Sequence, residues 1–295
     1  MYQIKQNFLL VASLFTIFSC SKSMDMTEGA TGTDSVDSYN RIVFKAEGEG
    51  LDLDVTTKAT AVTSLTSFNV VCEDASSTAK QKWSSTANKS QSGNNYVTDK
   101  YWPVTDSKYS FYASNLPLTY ATSGTTVSPS SNGTDAIVAY KAYSASDFGK
   151  SITLNFDHIY CRLGTIKATA NSGYSISNVS CSLSAPVGGT YNLKTKSWTS
   201  RGAASSQSFA TFSNSSNVST SVNDLYLVPG NYALTLNYTL TKGDFTKAYS
   251  STANVALTQG KINNINASIS ADDATAVQMT VSIAAWSSVD VTVTL

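Results

Sequence analysis

The chain has 295 residues, of which 41% are hydrophobic, so it carries enough apolar side chains for a sizeable core and for two domains. This composition excludes a chain that is disordered throughout. Lys plus Arg and Asp plus Glu balance at 20 each, so net charge provides no attraction to nucleic acid or to an acidic membrane surface. Only 14% of the residues are charged, and the polar surface must come mainly from Ser, Thr and Asn.

The N-terminal segment has the pattern of an export signal. Lys5 precedes FLLVASLFTIFS, a mostly apolar stretch with the length of a signal-peptide core. It is shorter than the roughly 20 residues that a transmembrane helix needs. The stretch ends at Ser19, and Cys20 follows directly, in an arrangement similar to a bacterial lipobox, in which the Cys is lipidated and becomes the first residue. We predict a lipoprotein signal peptide at residues 1–20; an ordinary signal peptide with an incidental Cys is the alternative.

The folded part is predicted to begin near residue 39. Residues 21–38 are small and acidic without apolar periodicity, which indicates a flexible tether. The next segment, RIVFKAE, places Ile42, Phe44 and Ala46 on one face and polar side chains mainly on the other, as in a half-buried strand.

The rest of the chain indicates an all-β protein. Tyr, Phe, Val and Thr are abundant, and long helical periodicity is absent. No crossover helix for parallel βαβ units is evident, so we expect an antiparallel β-sandwich in each half, at residues 39–150 and 151–295. The segment KSITLNFDHIYCRLGTIKATA fits one long strand or two with a bend. Pro229–Gly230 and Gly243–Asp244 are predicted hairpin turns.

Few residues suggest chemistry. His158 is the single histidine and lies in a strand-like run, which favours a packing or surface role over catalysis. The acidic pairs Asp52/Asp54 and Asp272/Asp273 lack the spacing of a calcium loop, so solvated loop charge is the simpler interpretation. We predict no enzyme activity, no cofactor and no metal site.

The remaining cysteines and the aromatic side chains each allow two interpretations. Cys72, Cys161 and Cys181 are an odd set, which favours buried thiols; a disulfide between Cys161 and Cys181 is the alternative. Eight aromatic residues fit a strand core, or alternatively stack on sugars at a glycan site: Tyr101, Trp102, Tyr109, Phe111, Tyr112, Tyr120, Tyr140 and Tyr143.

Several segments in order resemble one known family. They are the lipobox, TTKAT, KYWPVTDSKYSFYAS, ITLNFDHIYCRLGTIKA, LYLVPGNYALTLNYTL, TANVALTQGKINNINASI and AAWSSVDVTV. Together they are similar to the fimbrillins, the Mfa-like type V pilins of Bacteroides-type bacteria, over nearly the whole chain. The resemblance implies two transthyretin-like β-sandwich domains, export as an outer-membrane lipoprotein, and assembly into surface fimbriae.

The resemblance also implies a processing step. In the family, a trypsin-like and usually Arg-specific protease cuts after the first strand, and the matching position is Lys58, with Ala59 as the new N-terminus. Removal of the strand that carries Ile42, Phe44 and Ala46 would leave an apolar groove with unpaired edges.

The segment DVTVTL, residues 290–295, is the candidate that refills such a groove. Val291, Val293 and Leu295 alternate with polar residues, so the segment can add as a strand to another copy, in a contact that propagates as a filament. Pairing inside its own domain is the alternative. The expected partners are other copies or related pilins, the protease, the outer membrane through the lipid anchor, and a host or bacterial surface ligand. A lipid-anchored tip adhesin or glycan-binding lipoprotein is the second function considered.

Overall fold

The structure is a computed structural model that describes ten ranges of the chain. These are residues 41–49, 65–76, 78–91, 95–102, 108–130, 134–170, 173–208, 217–221, 225–269 and 277–284. All of them belong to one compact unit.

The described residues of the first half form nine strands and one short 3-10 helix. The strands are β1 (Arg41–Gly48), β2 (Ser67–Asp74), β3 (Lys80–Lys89), β4 (Asn95–Tyr101), β5 (Tyr109–Ser114), β6 (Leu118–Thr119), β7 (Thr126–Val127), β8 (Ile137–Tyr143) and β9 (Ile152–His158), and the helix is Ala145–Asp147.

Seven of these strands form one closed sheet. The hydrogen-bonded order is β1-β4-β3-β2-β5-β8-β9, and β9 pairs with β1 to close the ring. Alternate side chains point inward, as the period of a strand requires. They form a first core that is rich in aromatic rings, including Phe44, Phe68, Tyr96, Phe111 and Phe156.

Eleven strands lie in the part of the second half that the structure describes. They are β10 (Cys161–Ala170), β11 (Ser175–Pro186), β12 (Gly189–Asn192), β13 (Ser197–Arg201), β14 (Ala204–Ser208), β15 (Asn217–Ser221), β16 (Tyr226–Leu227), β17 (Gly230–Lys242), β18 (Phe245–Leu257), β19 (Ile262–Ile269) and β20 (Val277–Ala284).

Two sheets of the second half share a second core. One has the order β15-β10-β19-β20 with β16 beside β10, and the other has the order β14-β11-β17-β18. Buried side chains from both sheets form this core, among them Leu163, Ile176, Leu236 and Ile265. The all-β prediction is confirmed.

The expected purely antiparallel pairing is wrong at two places. β1 pairs in parallel with β9, and β10 pairs in parallel with β19. In each half the chain returns to the starting side through several intervening strands, so a parallel pair forms without a crossover helix. The segment from residue 150 to 170 forms two strands, β9 and β10.

One of the two predicted hairpin turns is confirmed. β17 and β18 form a continuous antiparallel pair that ends at Lys242 opposite Phe245. Gly243 has φ +57°, the left-handed value that a two-residue type II′ turn needs at its first central position. The prediction at Pro229–Gly230 is wrong, because β16 pairs with β10 rather than with β17.

A small sheet joins the two halves. Its order is β13-β12-β7-β6, with Tyr191 of β12 opposite Val127 of β7. A third core lies beneath it, built from both halves: Val71, Tyr112, Val127, Ala136, Val138, Ile159, Tyr160, Tyr191, Leu193, Tyr226 and Val228. β9 pairs with β1 and β8, so the first closed sheet extends past residue 150 to His158.

Candidate functional site: the groove filled by the first strand

The first strand closes the first sheet between two different neighbours. On one side β1 pairs with β4 in antiparallel orientation, with Phe44 opposite Tyr96. On the other side it pairs with β9 in parallel, from Phe44 opposite Ile152 to Gly48 opposite Phe156. If β1 were absent, β4 and β9 would each present an unpaired row of backbone N–H and C=O groups.

The inward face of β1 fills the centre of the first core. Ile42, Phe44 and Ala46 have exposed fractions of 1%, 0% and 1%. The Phe44 ring packs edge to face on Phe68 and Phe111, with centroid distances of 5.8 and 5.6 Å. Burial of a side chain as large as Ile or Phe contributes about 1.5–3 kcal/mol. Removal of β1 would empty the space that its three inward side chains fill and leave an apolar groove.

The outward face of β1 is more polar and more exposed. Lys45 and Glu47 are exposed, and Val43 is partly buried. This alternation is the one that the sequence pattern predicts. The face of β1 that enters the first core is thus the apolar one.

A polar cluster binds the C-terminal end of β1. The backbone carbonyl of Glu49, just past the strand, lies 2.8 Å from His158 Nε2. His158 Nδ1 lies 2.7 Å from Asp135 Oδ2, and both of these side chains are buried. Lys261 Nζ, from the turn between β18 and β19, lies 2.9 Å from Glu49 Oε2. A cavity of about 250 Å³ adjoins these groups.

Aromatic side chains surround the other end of β1. The Arg41 guanidinium lies 5.7 Å from the centre of the Tyr101 ring and donates a 3.4 Å hydrogen bond to its hydroxyl. Trp102 packs against Phe148 and Tyr143. Of the eight aromatic residues weighed as a glycan site, Tyr101 has an exposed fraction of 45% and the other seven are buried or partly buried, which favours the core interpretation.

The three described cysteines are free and buried. Cys161 and Cys181 lie on strands of the two facing sheets, and Cys161 Sγ donates a hydrogen bond to the Leu227 carbonyl at 3.2 Å. Burial raises the pKa of each thiol, at Cys72, Cys161 and Cys181, to about 12. They are therefore neutral, unreactive core side chains near pH 7.

Most of the predicted site residues lie outside the described residues. These are Cys20, Lys58, Ala59, Val291, Val293 and Leu295, together with the acidic residues Asp52, Asp54, Asp272 and Asp273. The roles of these residues, and the removal of the strand with Ile42, Phe44 and Ala46, stay predictions.

The described ranges contain neither a membrane-spanning helix nor a metal-binding group of side chains. No helix there has the length and hydropathy required to cross a bilayer. The same ranges hold no group of three or more His, Cys, Asp or Glu side chains placed to bind a metal ion.

The sequence missed the cluster around His158. His158 is buried, which agrees with the packing role that the sequence favoured, but its hydrogen bonds to Asp135 and to the Glu49 carbonyl were not predicted. Glu49, Asp135 and Lys261 are far apart in sequence, and no local pattern marks them. The isolated histidine in a strand beside Asp157 was the one available signal.

One solved structure supports the fold, and two others are similar to this chain with lower TM-scores. A protein assigned to cell adhesion from Parabacteroides distasonis aligns with a TM-score of 0.51 at 9% identity, covering 84% of this chain and 97% of that one. A protein assigned to cell adhesion from Bacteroides uniformis aligns with a TM-score of 0.49 at 15% identity, covering 83% and 99%. A fimbrial assembly protein from Parabacteroides distasonis aligns with a TM-score of 0.39 at 10% identity, covering 83% and 99%.

Comparison with sequences identifies the family. No curated protein matches the chain. A family model described as fimbrillin-like matches residues 41–286, which include every described strand. The chain therefore belongs to the fimbrillin-like family.

Proposed function

We propose that this chain is a structural subunit of cell-surface fimbriae that supports adhesion and polymerises by strand exchange with copies of itself or with related pilins. Membership of the fimbrillin-like family supports a fimbrial adhesion subunit. The observation that carries the strand-exchange part is the position of β1. It closes the first sheet, fills its core, and is followed by the segment in which cleavage is predicted.

The proposal includes a defined precursor. The chain is exported as a lipoprotein, lipidated at Cys20 and anchored in the outer membrane. Its folded part is arranged as two transthyretin-like sandwich domains, with the boundary after β9 instead of at residue 150, because β9 belongs to the first closed sheet. A protease cuts between Lys58 and Ala59, and β1 then leaves the groove.

A strand from another copy then refills the groove. In residues 290–295, Val291, Val293 and Leu295 repeat the alternate spacing of Ile42, Phe44 and Ala46. Each large apolar side chain that is buried contributes about 1.5–3 kcal/mol, and each ladder hydrogen bond adds a net ~0.5–1.5 kcal/mol. Donor and acceptor surfaces differ, so the contact is heterologous and extends into a filament.

Substitutions on the two faces of the donor segment test this proposal. Val291→Asp and Val293→Asp together place charge on the face that enters the groove, so a chain carrying both is expected to be exported but absent from SDS-resistant ladders. Thr292→Asp and Thr294→Asp together form the matched control on the other face and should retain the ladders. The readout is an SDS gel of surface protein from a host that exports and processes fimbrillins.

The same preparation tests the cut. N-terminal sequencing of the polymer is expected to begin at Ala59. Polymer built only from chains that begin at lipidated Cys20, or normal ladders from the chain with Asp at positions 291 and 293, would contradict the proposal.

A further inference from the structure

The cluster around Glu49 contains a hydrogen-bond donor aimed at the main chain of the first strand. The Glu49 carbonyl can only accept, so His158 Nε2 carries the hydrogen of the 2.8 Å bond. On its other side, His158 is held at 2.7 Å by Asp135 Oδ2. The carboxylate of Asp135 therefore fixes the orientation of the imidazole towards the groove.

This pair is expensive to keep buried. The side chains of His158 and Asp135 have exposed fractions of 5% and 6%, and Asp135 Oδ1 is buried without a hydrogen-bond partner. Well-packed apolar side chains in place of a buried polar pair often leave stability unchanged or higher. Stability alone is thus a weak reason for the pair, and a specific contact with the strand is a stronger one.

The second half of the chain supplies a further contact at the same point. Lys261 Nζ lies 2.9 Å from the Glu49 carboxylate, and both side chains are partly exposed. An exposed ion pair of this kind contributes little to stability. It adds a preference for a carboxylate at this position, whereas His158 binds a carbonyl that every residue has.

We propose that His158, oriented by Asp135, is the binding site for the main-chain carbonyl at the end of whichever strand occupies the groove, and that Lys261 favours a carboxylate on the same residue. This inference rests on the proposed function, because the groove becomes available to another strand only if β1 leaves. The partner is an extended segment of a second copy; residues 290–295 meet this condition if Val291 takes the place of Ala46, so that the chain preceding residue 290 supplies the carbonyl.

The two contacts together favour one register of that segment. A strand that slips by one residue turns its apolar face outwards and its polar face into the core. A slip of two residues keeps the apolar face inward and still offers a carbonyl to His158, but it removes the carboxylate from Lys261. His158 and Lys261 are thus positioning residues for strand exchange.

The test uses the full chain with an engineered protease site at Lys58, cut after folding. The cut strand is released in urea and replaced by labelled peptides with amidated ends. The peptides are residues 41–49, the same peptide with Glu49→Gln, and residues 41–48, which lack the Glu49 carbonyl. The measured quantity is the dissociation rate of each peptide.

The peptides should separate the two contacts. Loss of the Glu49 residue removes a hydrogen bond to a polar buried side chain and should speed dissociation about tenfold or more. Glu49→Gln should speed it by at most about fivefold, because an exposed ion pair is weak. Equal rates for residues 41–49 and 41–48 on the wild-type acceptor would overturn the inference, and this comparison leaves the acceptor unchanged.

Variants of the acceptor provide the cross-check. In a chain with His158→Phe and Asp135→Asn, the donor is lost without leaving a buried carboxylate, so residues 41–49 and 41–48 should dissociate at similar rates. His158→Gln keeps an amide donor and should restore part of the difference. A tenfold difference that persists in the double variant would contradict the role of His158.

An ion pair to the neighbouring strand β9 provides the matched control. Lys196→Met breaks the 2.7 Å ion pair with Asp157 on β9, which does not involve β1. It should leave every peptide rate unchanged.

Failure of this inference can be distinguished from failure of the proposed function. A cut wild-type protein that takes up no peptide would argue against strand exchange itself. The role of His158 is then read from release of the original cut strand in urea, which should be faster in the double variant; equal release rates would overturn it.

Discussion

Phe44 is the largest side chain that β1 places in the first core. Its ring is fully buried and contacts two other rings of the first core. Phe44→Ala removes these contacts and leaves a cavity, so the free energy of unfolding should fall by about 3–5 kcal/mol. Urea unfolding followed by Trp fluorescence measures the change.

The neighbouring residue provides the control for that prediction. Lys45→Ala, on the exposed face of the same strand, should change the free energy of unfolding by about 0.5 kcal/mol or less. Equal effects at positions 44 and 45 would mean that β1 contributes little to the core.

His158 shows what a single residue type can and cannot reveal. The residues next to it in the sequence suggest no partner for it, and its hydrogen-bond partners come from positions 49 and 135. Those contacts depend on how β1 and β9 pair in parallel, and no local period encodes that pairing. Burial of Cys72, Cys161 and Cys181, by contrast, follows from their apolar strand contexts.

At the scale of elements, the β17–β18 hairpin depends on the conformation of one glycine. Gly243 has φ +57°, and a Cβ there would meet no atom within 4 Å. Gly243→Ala should therefore destabilise the protein by about 1 kcal/mol through backbone conformation alone. Thermal unfolding measures the change in melting temperature. Asp244→Ala is the control, because Asp244 is not the residue with the left-handed conformation.

An unchanged melting temperature in Gly243→Ala would show that the turn adopts another conformation. A fall of several kcal/mol in the free energy of unfolding would indicate a steric clash, which would contradict the open surroundings of Gly243.

The strands themselves were largely predictable, whereas their partners were not. Alternation identified β1 and its buried face, and Gly243–Asp244 identified the long hairpin. Pro229–Gly230 has equally strong turn chemistry, but Val228 is buried in the third core and donates its N–H to the Pro186 carbonyl at 3.0 Å. Tertiary contacts thus direct β16 to β10, and residue-level turn preferences cannot report that choice.

At the scale of the molecule, the two halves share a sheet and a core. Tyr160 is fully buried in that third core, and its hydroxyl donates a 2.7 Å hydrogen bond to the Val187 carbonyl. Tyr160→Ala should lower the stability of both halves together by about 3–5 kcal/mol. Hydrogen exchange of amides in β5 and β17 measures each half separately.

A residue of similar size in one core gives the comparison. Tyr238 packs in the second core, so Tyr238→Ala should weaken the protection of β17 more than that of β5. Protection lost in only one half after Tyr160→Ala would show that the halves unfold independently.

The candidate groove was predictable in part at this scale. Composition and alternation pointed to an all-β chain with an amphipathic first strand, and family resemblance suggested that the strand is removed. The closure of the sheet by a parallel β1–β9 pair required the structure, because pairing direction leaves no trace in the hydrophobic period. The contact between Glu49 and Lys261 also required the structure, because these residues are far apart in the sequence.

The closed ladder of the first half also has a consequence for storage of the protein. While β1 is seated, that sheet offers no free edge on which a second molecule could nucleate, however crowded the compartment becomes. If the proposed cleavage at Lys58 is what releases β1, a free edge on this sheet arises only after that covalent step, whatever the concentration of subunits during secretion.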